Sequence, residues 1–211
     1  KMEEVTYDEM LEMASLGAKV LHSRCVEIAK KYGVELLVCS SLNRNSGTMV
    51  REKTKMEKML ISGVAADKNV AKIRVAGLGN DPESTFRLLN LLDRNNLNID
   101  VMIQSLGKDG TKSVSFTVAK PDMLRTIDVL NDNKDLLGIK KLDYDENVAK
   151  VSVIGAGVRS HSGVAAKMFG ALANAGINTE MVTTSEIRIT ALIDEAYADQ
   201  AMRAIHETFL E

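Results

Sequence analysis

Tryptophan is absent and phenylalanine occurs four times. The strands expected at Ala71–Ala76 and Lys150–Gly155 carry no aromatic residue, so the base-stacking surface of a sheet that reads single-stranded nucleic acid is missing. Charge of one sign is missing too. The net charge is −2 with a pI near 6.0, against the basic footprint such binding needs. Two cysteines, Cys25 and Cys39, are too few for a disulfide framework or a thiolate metal site and suit a reducing cytoplasm. His22, His161 and His206 show no HxH or HxxxH spacing, which removes the usual histidine metal sites. His161, in a strand-to-helix loop, has the best case for function among them. Apolar runs are too short to span a bilayer and no signal-peptide pattern opens the chain. No phosphate-cradling GxxxxGK[ST], HExxH or nucleophile–base pair occurs. The chain by itself is expected to catalyse nothing, and no catalytic residue or metal ligand is assigned.

What remains is an ordinary globular composition, 45% hydrophobic and 27% charged over 211 residues, with eleven methionines for adaptable packing. Its main feature is one pattern used twice. Ala71–Ser105 and Ala149–Ser185 each carry an apolar strand ending in Gly-x-Gly (Gly77/Gly79 and Gly155/Gly157), a polar loop, a helix, and an Asn before a second strand (Asn98 and Asn178). A repeated unit implies a pair of similar small domains.

Before the repeats, Thr6 stands three residues ahead of Glu9, a capping-box spacing. Gly17 splits the helical pattern into Thr6–Ser15 and Ala18–Tyr32, and Gly33 stops it. Val34–Ser40 reads as a strand, Asn43–Gly47 as a turn, Thr48–Arg51 as a strand, Lys53–Lys58 as a charged link and Met59–Ala66 as a strand. In the first repeat, strand Ala71–Ala76 leads to Asn80-Asp81-Pro82, with Pro at the first helical turn. Helix Pro82–Asn95 and strand Ile99–Leu106 follow. Lys108-Asp109-Gly110 predicts a hairpin to Ser113–Val118, then a helix from Pro121 and a strand Ile139–Tyr144. The order is βαββαβ. The second repeat has strand Lys150–Gly155, loop Arg159–Ser162, helix Gly163–Ala175, strands Thr179–Thr184 and Arg188–Asp194, and helix Ala198–Leu210. It lacks a last strand, and Met59–Ala66 is the expected donor, because an open edge leaves ladder groups unpaired. The fold class is therefore α+β. Two ferredoxin-like units stand in tandem, the first inserted in the second, after N-terminal helices and short strands. The expected domains are 1–56, 69–148, and 57–68 with 149–211.

A dinucleotide reading of Gly155-Ala156-Gly157 fails for want of a third glycine, since Ser160 stands there, and of an acidic end to the second strand. A small-molecule site fits better. A helix N-terminus suits a carboxylate, and a carboxylate or amide on a neighbouring strand accepts from an ammonium. Together they would hold an amino acid. Asn80, Asp81, Asp100 and Gln104 have the right chemistry, as do Asn178, Thr179, Ser185 and Glu186. Asp81 reads equally as a plain N-cap. Asp81, Asp100 and Glu180 are expected to flank one corner.

On these residues the chain resembles the regulatory half of aspartate kinase, a pair of ACT domains. The resemblance is carried by Tyr7–Cys25, Val38–Val50, NIDVMIQS at Asn98–Ser105, VSVIGAGVRSHSGVAAKMFGALANAGIN at Val151–Asn178, and TTSEIRITALI at Thr183–Ile193. It covers nearly the whole chain. It implies lysine and/or threonine as feedback effectors of an ATP-dependent aspartate phosphorylation carried out elsewhere. ATP and magnesium would belong to that absent kinase domain, so no cofactor is expected here. It implies effector contacts at Gly79, Asn80, Asp81, Pro82, Asn98, Ile99, Asp100, Gln104, Asn178, Thr179, Ser185 and Glu186. A homodimer through the ACT domains, a kinase domain or subunit as partner, and a cytoplasmic setting without membrane or nucleic acid also follow. The chain would be either part of a longer enzyme or a separate regulatory subunit, with Ala18–Tyr32 passing the signal on. The competing expectation is a ligandless ferredoxin-like dimerisation module; a nucleic-acid module ranks behind it.

Overall fold

The computed structural model describes residues 2–18, 20–42, 47–52 and 61–210. The turn expected at Asn43–Gly47 falls outside the described residues except for Gly47. The link Lys53–Lys58 and the start of Met59–Ala66 fall outside them entirely. The chain divides into two units, one made of Lys1–Lys68 and Lys150–Glu211, the other of Asn69–Ala149.

Asn69–Ala149 holds the second part of β4 (Gly63–Leu78), then α3 (Pro82–Arg94), β5 (Met102–Leu106), β6 (Lys112–Ala119), α4 (Met123–Asp132), α5 (Lys134–Leu137) and the first part of β7 (Lys141–Ile154). The sheet order is β5-β6-β4-β7, the ferredoxin-like arrangement expected for βαββαβ. Its core is Ile73, Val75, Leu78, Leu88, Leu92, Phe116, Val118, Ile127 and Leu130 with their neighbours, each contributing about 1.5–3 kcal/mol on burial. The hairpin forms where Lys108-Asp109-Gly110 placed it, with Leu106 opposite Lys112. Gly110 takes the left-handed φ of +76°. The N–H of Thr111, and then its hydroxyl, hold the Asp109 carboxyl below the ordinary aspartate value.

The other unit contains β1 (Glu4–Thr6), α1 (Tyr7–Ser15), α2 (Ser23–Tyr32), β2 (Leu36–Val38) and β3 (Thr48–Arg51), then the start of β4. It continues with the end of β7, α6 (Gly157–Ser160), α7 (Gly163–Asn174), β8 (Met181–Thr184), β9 (Arg188–Asp194) and α8 (Ala198–Leu210). The order β4-β7-β9-β8 puts Gly63–Lys68 in the place of the missing last strand, so one repeat is inserted in the other. The three short strands form a separate sheet, β1-β3-β2. Two apolar clusters fill this unit. One lies under α7 and α8, around Val151, Met168, Leu172, Ile193 and Ile205. The other joins α1 and α2 to Ala65 and Ile154.

Several bounds differ from the expectation. β4 and β7 each run on where the sequence suggested two strands, 59–66 with 71–76 and 139–144 with 150–155. The polar midsection of β4 looked like a break but finds partners. Asp67 pairs with Lys150 at 3.2 Å and Lys68 with Asp199 at 2.9 Å. The expected helix Ala18–Tyr32 begins only at Ser23, because the His22 ring caps the Arg24 N–H. Its last turn is pinned by Lys30 to Asp8 at 2.5 Å. That hydrogen bond holds the lysine above its ordinary pKa. Strand Val34–Ser40 shrinks to Leu36–Val38. The helix expected from Pro121 opens with a 3₁₀ turn, Lys120–Asp122. Among the described residues no helix is long and apolar enough to cross a membrane.

Gly17 ends α1 with φ +95°, and a Cβ there would meet the Ala66 carbonyl oxygen at 2.7 Å. Gly17→Ala combines backbone strain with a backbone collision. It is expected to lower stability by about 1–3 kcal/mol, read from urea denaturation; Gly33→Ala, whose added methyl meets nothing within 4 Å, is expected to lose less.

Candidate functional site

The Gly-x-Gly of the first repeat opens the N-terminus of α3. β4 breaks register with β6 between Ala76 and Leu78, at Gly77 with φ +91°. Asp81 then stands in extended conformation as N-cap. Its Oδ1 accepts from the Glu83 N–H at 3.0 Å, and Pro82 fills the first helical position, as both local signals require. The Ser84 hydroxyl donates to the carbonyls of Gly79 at 2.6 Å and Asp81 at 3.1 Å. Lys112 on β6 brings its ammonium to the Asp81 carbonyl at 2.8 Å and to Ser84 Oγ at 3.4 Å. Arg87 pairs with Asp81 at 3.1 Å and Glu83 at 3.3 Å. Gln104 on β5 accepts from the Thr85 hydroxyl at 2.6 Å. Gly79, Asn80, Asp81, Pro82 and Gln104 thus gather at one end of α3, all exposed.

Asn98, Ile99 and Asp100 do not join them. They follow the C-terminal end of α3, and β5 then returns along the helix to its N-terminal end. Asp100 stands four residues before Gln104 on the way into β5, a rise of about 13 Å at 3.3 Å per residue. The single corner expected for Asp81 and Asp100 is therefore two places within this unit. The strand expected from Ile99 starts at Met102. Thr117 is the cause. Its hydroxyl accepts from the Val101 N–H at 3.1 Å and its carbonyl from the Asp100 N–H at 3.1 Å. A side chain thereby takes a ladder position and bends the strand entry.

In the other unit, Asn178 and Thr179 are exposed just before β8, which begins at Met181 rather than Thr179. Ser185 and Glu186 are exposed in the turn past its other end. Glu186 pairs with Arg159 at 3.0 Å, both side chains largely in solvent. The Arg159–Ser162 loop of the expectation is partly the short helix α6, and Ser162 caps α7 without a side-chain bond, unlike Asp81 on α3. The Gly155 N–H donates to the Ile187 carbonyl at 2.9 Å, and its carbonyl accepts from Val158 at 3.1 Å.

Ser84, Thr85, Arg87, Lys112 and Arg159 complete the polar surroundings and were not singled out from sequence. Lys112 had a signal. The hairpin register sets it opposite Leu106 and, across the bulge, opposite Leu78, next to the helix start.

Two ferredoxin-like units with glycine-ended strands and polar helix entries define an ACT-domain regulatory protein. Residues 151–209 match the family model described as ACT domain. Over 212 aligned residues the chain is 40% identical to "Aspartokinase" of Pseudomonas aeruginosa, an alignment that takes 99% of this chain and 52% of that protein. It also matches the crystal structure of the regulatory subunit of aspartate kinase from Thermus thermophilus, ligand-free form. There the identity is 33% and the TM-score 0.67, over 71% of this chain and 99% of that one. Aspartokinase III of E. coli, in complex with lysine and aspartate, T-state, matches at 25% identity and TM-score 0.78, over 100% of this chain and 47% of that one. The chain belongs to the aspartokinase family and carries its regulatory ACT region. It spans about half the length of the curated relative.

Proposed function

We propose that this chain binds lysine, threonine or both as feedback effectors, and that binding restrains an ATP- and magnesium-dependent aspartate kinase domain or subunit in the cytoplasm. The observation that carries this is the polar cluster at the α3 N-terminus, where helix N–H groups, Lys112 and Gln104 converge, set against a carboxylate, Asp100, at the other end of β5. A carboxylate ligand group suits the first. An ammonium suits the second.

The separation of the two groups supports a homodimer. Among the described residues β5 stands at the edge of its sheet, paired with β6 alone, and exposes Met102 and Leu106. In a two-fold antiparallel pairing of β5 with its copy, the start of one strand lies beside the end of the other. Asp100 of one protomer would then face the α3 N-terminus of its partner, closing two equivalent sites. Asn98 and Ile99 would line them with Gly79–Pro82. Asn178, Thr179, Ser185 and Glu186 bracket the edge strand β8 in the same way. An effector that prefers one arrangement of such a dimer biases it by a coupling of typically about 1–3 kcal/mol.

Titration with lysine and with threonine, followed by amide NMR of the labelled chain, tests the reading. Saturable shifts are expected at residues 79–85 with 98–106, or at 178–186. Shifts confined elsewhere would contradict it. A ligandless dimerisation module would show none at all.

A further inference from the structure

The turn between β8 and β9 is closed tightly and tied on both flanks. The Ser185 N–H donates to the Arg188 carbonyl at 2.7 Å, and the Gly155 N–H to the Ile187 carbonyl at 2.9 Å. The Ile187 N–H reaches Ser185 Oγ at 3.4 Å. On one flank Glu186 pairs with Arg159, their side chains 75% and 72% exposed. On the other, Arg188 reaches Glu12 of α1 at 2.8 Å, with only 19% and 26% exposure. An exposed pair is weak and opens readily. A half-buried one in a less screened setting holds more firmly.

α1 is a packed part of the same unit, not an appendage. One helical turn before Glu12, Glu9 accepts from the Ser62 hydroxyl at 2.6 Å and closes the capping box with Thr6. Met10, Met13 and Leu16 pack in one cluster with Ala65 and Ile154. Gly17 lies so close to the Ala66 carbonyl that a methyl group would not fit. A displacement delivered to Glu12 therefore moves a rigid helix.

We infer that the Arg188–Glu12 pair links the β8–β9 turn to the N-terminal segment, so that occupancy at Ser185–Glu186 is passed to α1. This rests on the effector reading above. A ligand that engages Ser185 and Glu186 competes with Arg159 for the Glu186 carboxylate and releases the weak flank. The turn then shifts as a closed unit, and Arg188 carries the shift to Glu12. Arg188 is a positioning residue here, touching α1 rather than the ligand. The signal reaches α1 first, and α1 is tied in turn to α2 through Lys30 and Asp8.

Hydrogen exchange of α1 in the full chain, read by mass spectrometry, tests the link without any ligand. Glu186→Gln removes the Arg159 tie. It is expected to change exchange over Met10–Leu16 by about twofold or more. In a Glu12→Gln background that response should vanish, and in the charge-reversed pair Glu12→Arg with Arg188→Glu it should return. A purely structural role for Glu12 would move the thermal midpoint but not this response. Where Glu12→Gln unfolds the chain, Glu12→Asp, one methylene shorter, takes its place. An unchanged α1 in Glu186→Gln, or the same change with Glu12 removed, would overturn the link. Lysine and threonine added to the wild-type chain should reproduce the Glu186→Gln response. If neither binds, the effector reading fails while the Glu186 comparison still decides the link.

Discussion

Phe116→Ala is expected to lower folding stability by about 3–5 kcal/mol, measured by urea denaturation followed by circular dichroism. Phe116 is 0% exposed on β6, opposite Ile73 and Met102. It packs into the cluster of Val75, Leu88, Leu92 and Leu130. Truncation removes a ring's worth of transfer energy and leaves a cavity that surrounding strands, fixed by their ladders, fill only in part. Phe86 on α3 is the control. It is 65% exposed, and its removal should stay within about 0.5 kcal/mol. A loss below about 1 kcal/mol for Phe116→Ala, far under the usual range for such a truncation, would mean that this sheet face is not the core.

The second large effect concerns the effector. Asp100→Ala is expected to weaken binding of whichever amino acid binds by about tenfold or more, from the loss of a charge-assisted hydrogen bond to its ammonium. Asp100 sits at the entry of β5, where its backbone N–H donates to the Thr117 carbonyl. The thermal midpoint and the light-scattering mass, measured alongside, separate a loss of affinity from a loss of fold. Asp128→Ala on α4, also exposed, should leave affinity alone. Equal affinity for Asp100→Ala and wild type would remove Asp100 from the site.

Local signals were legible in the sequence. The capping box at Thr6 and Glu9, the N-cap at Asp81 with Pro82, the hairpin at Lys108–Gly110 and the stop at Gly33 each depend on a few adjacent residues. All appear in the structure. The repeated strand-Gly-x-Gly-helix pattern gave the two ferredoxin-like units. The continuity of β4 was hidden, because Asp67 and Lys68 look like loop residues until their long-range partners are known. The corner assigned to Asp81 and Asp100 failed for a topological reason. β5 runs back along α3, so residues close to the helix end in sequence sit far from its start. Lys112 was overlooked although the hairpin register points to it. Its ammonium matters only once β6 is seen beside the helix entry.

Isothermal titration calorimetry of the intact chain with lysine, and separately with threonine, bears most directly on the claim that this aspartokinase region is an amino-acid sensor. A saturable heat is expected for at least one of the two, diminished by Asp100→Ala. No heat from either ligand at millimolar concentration would contradict that claim, and would leave the paired ACT units as an assembly module alone.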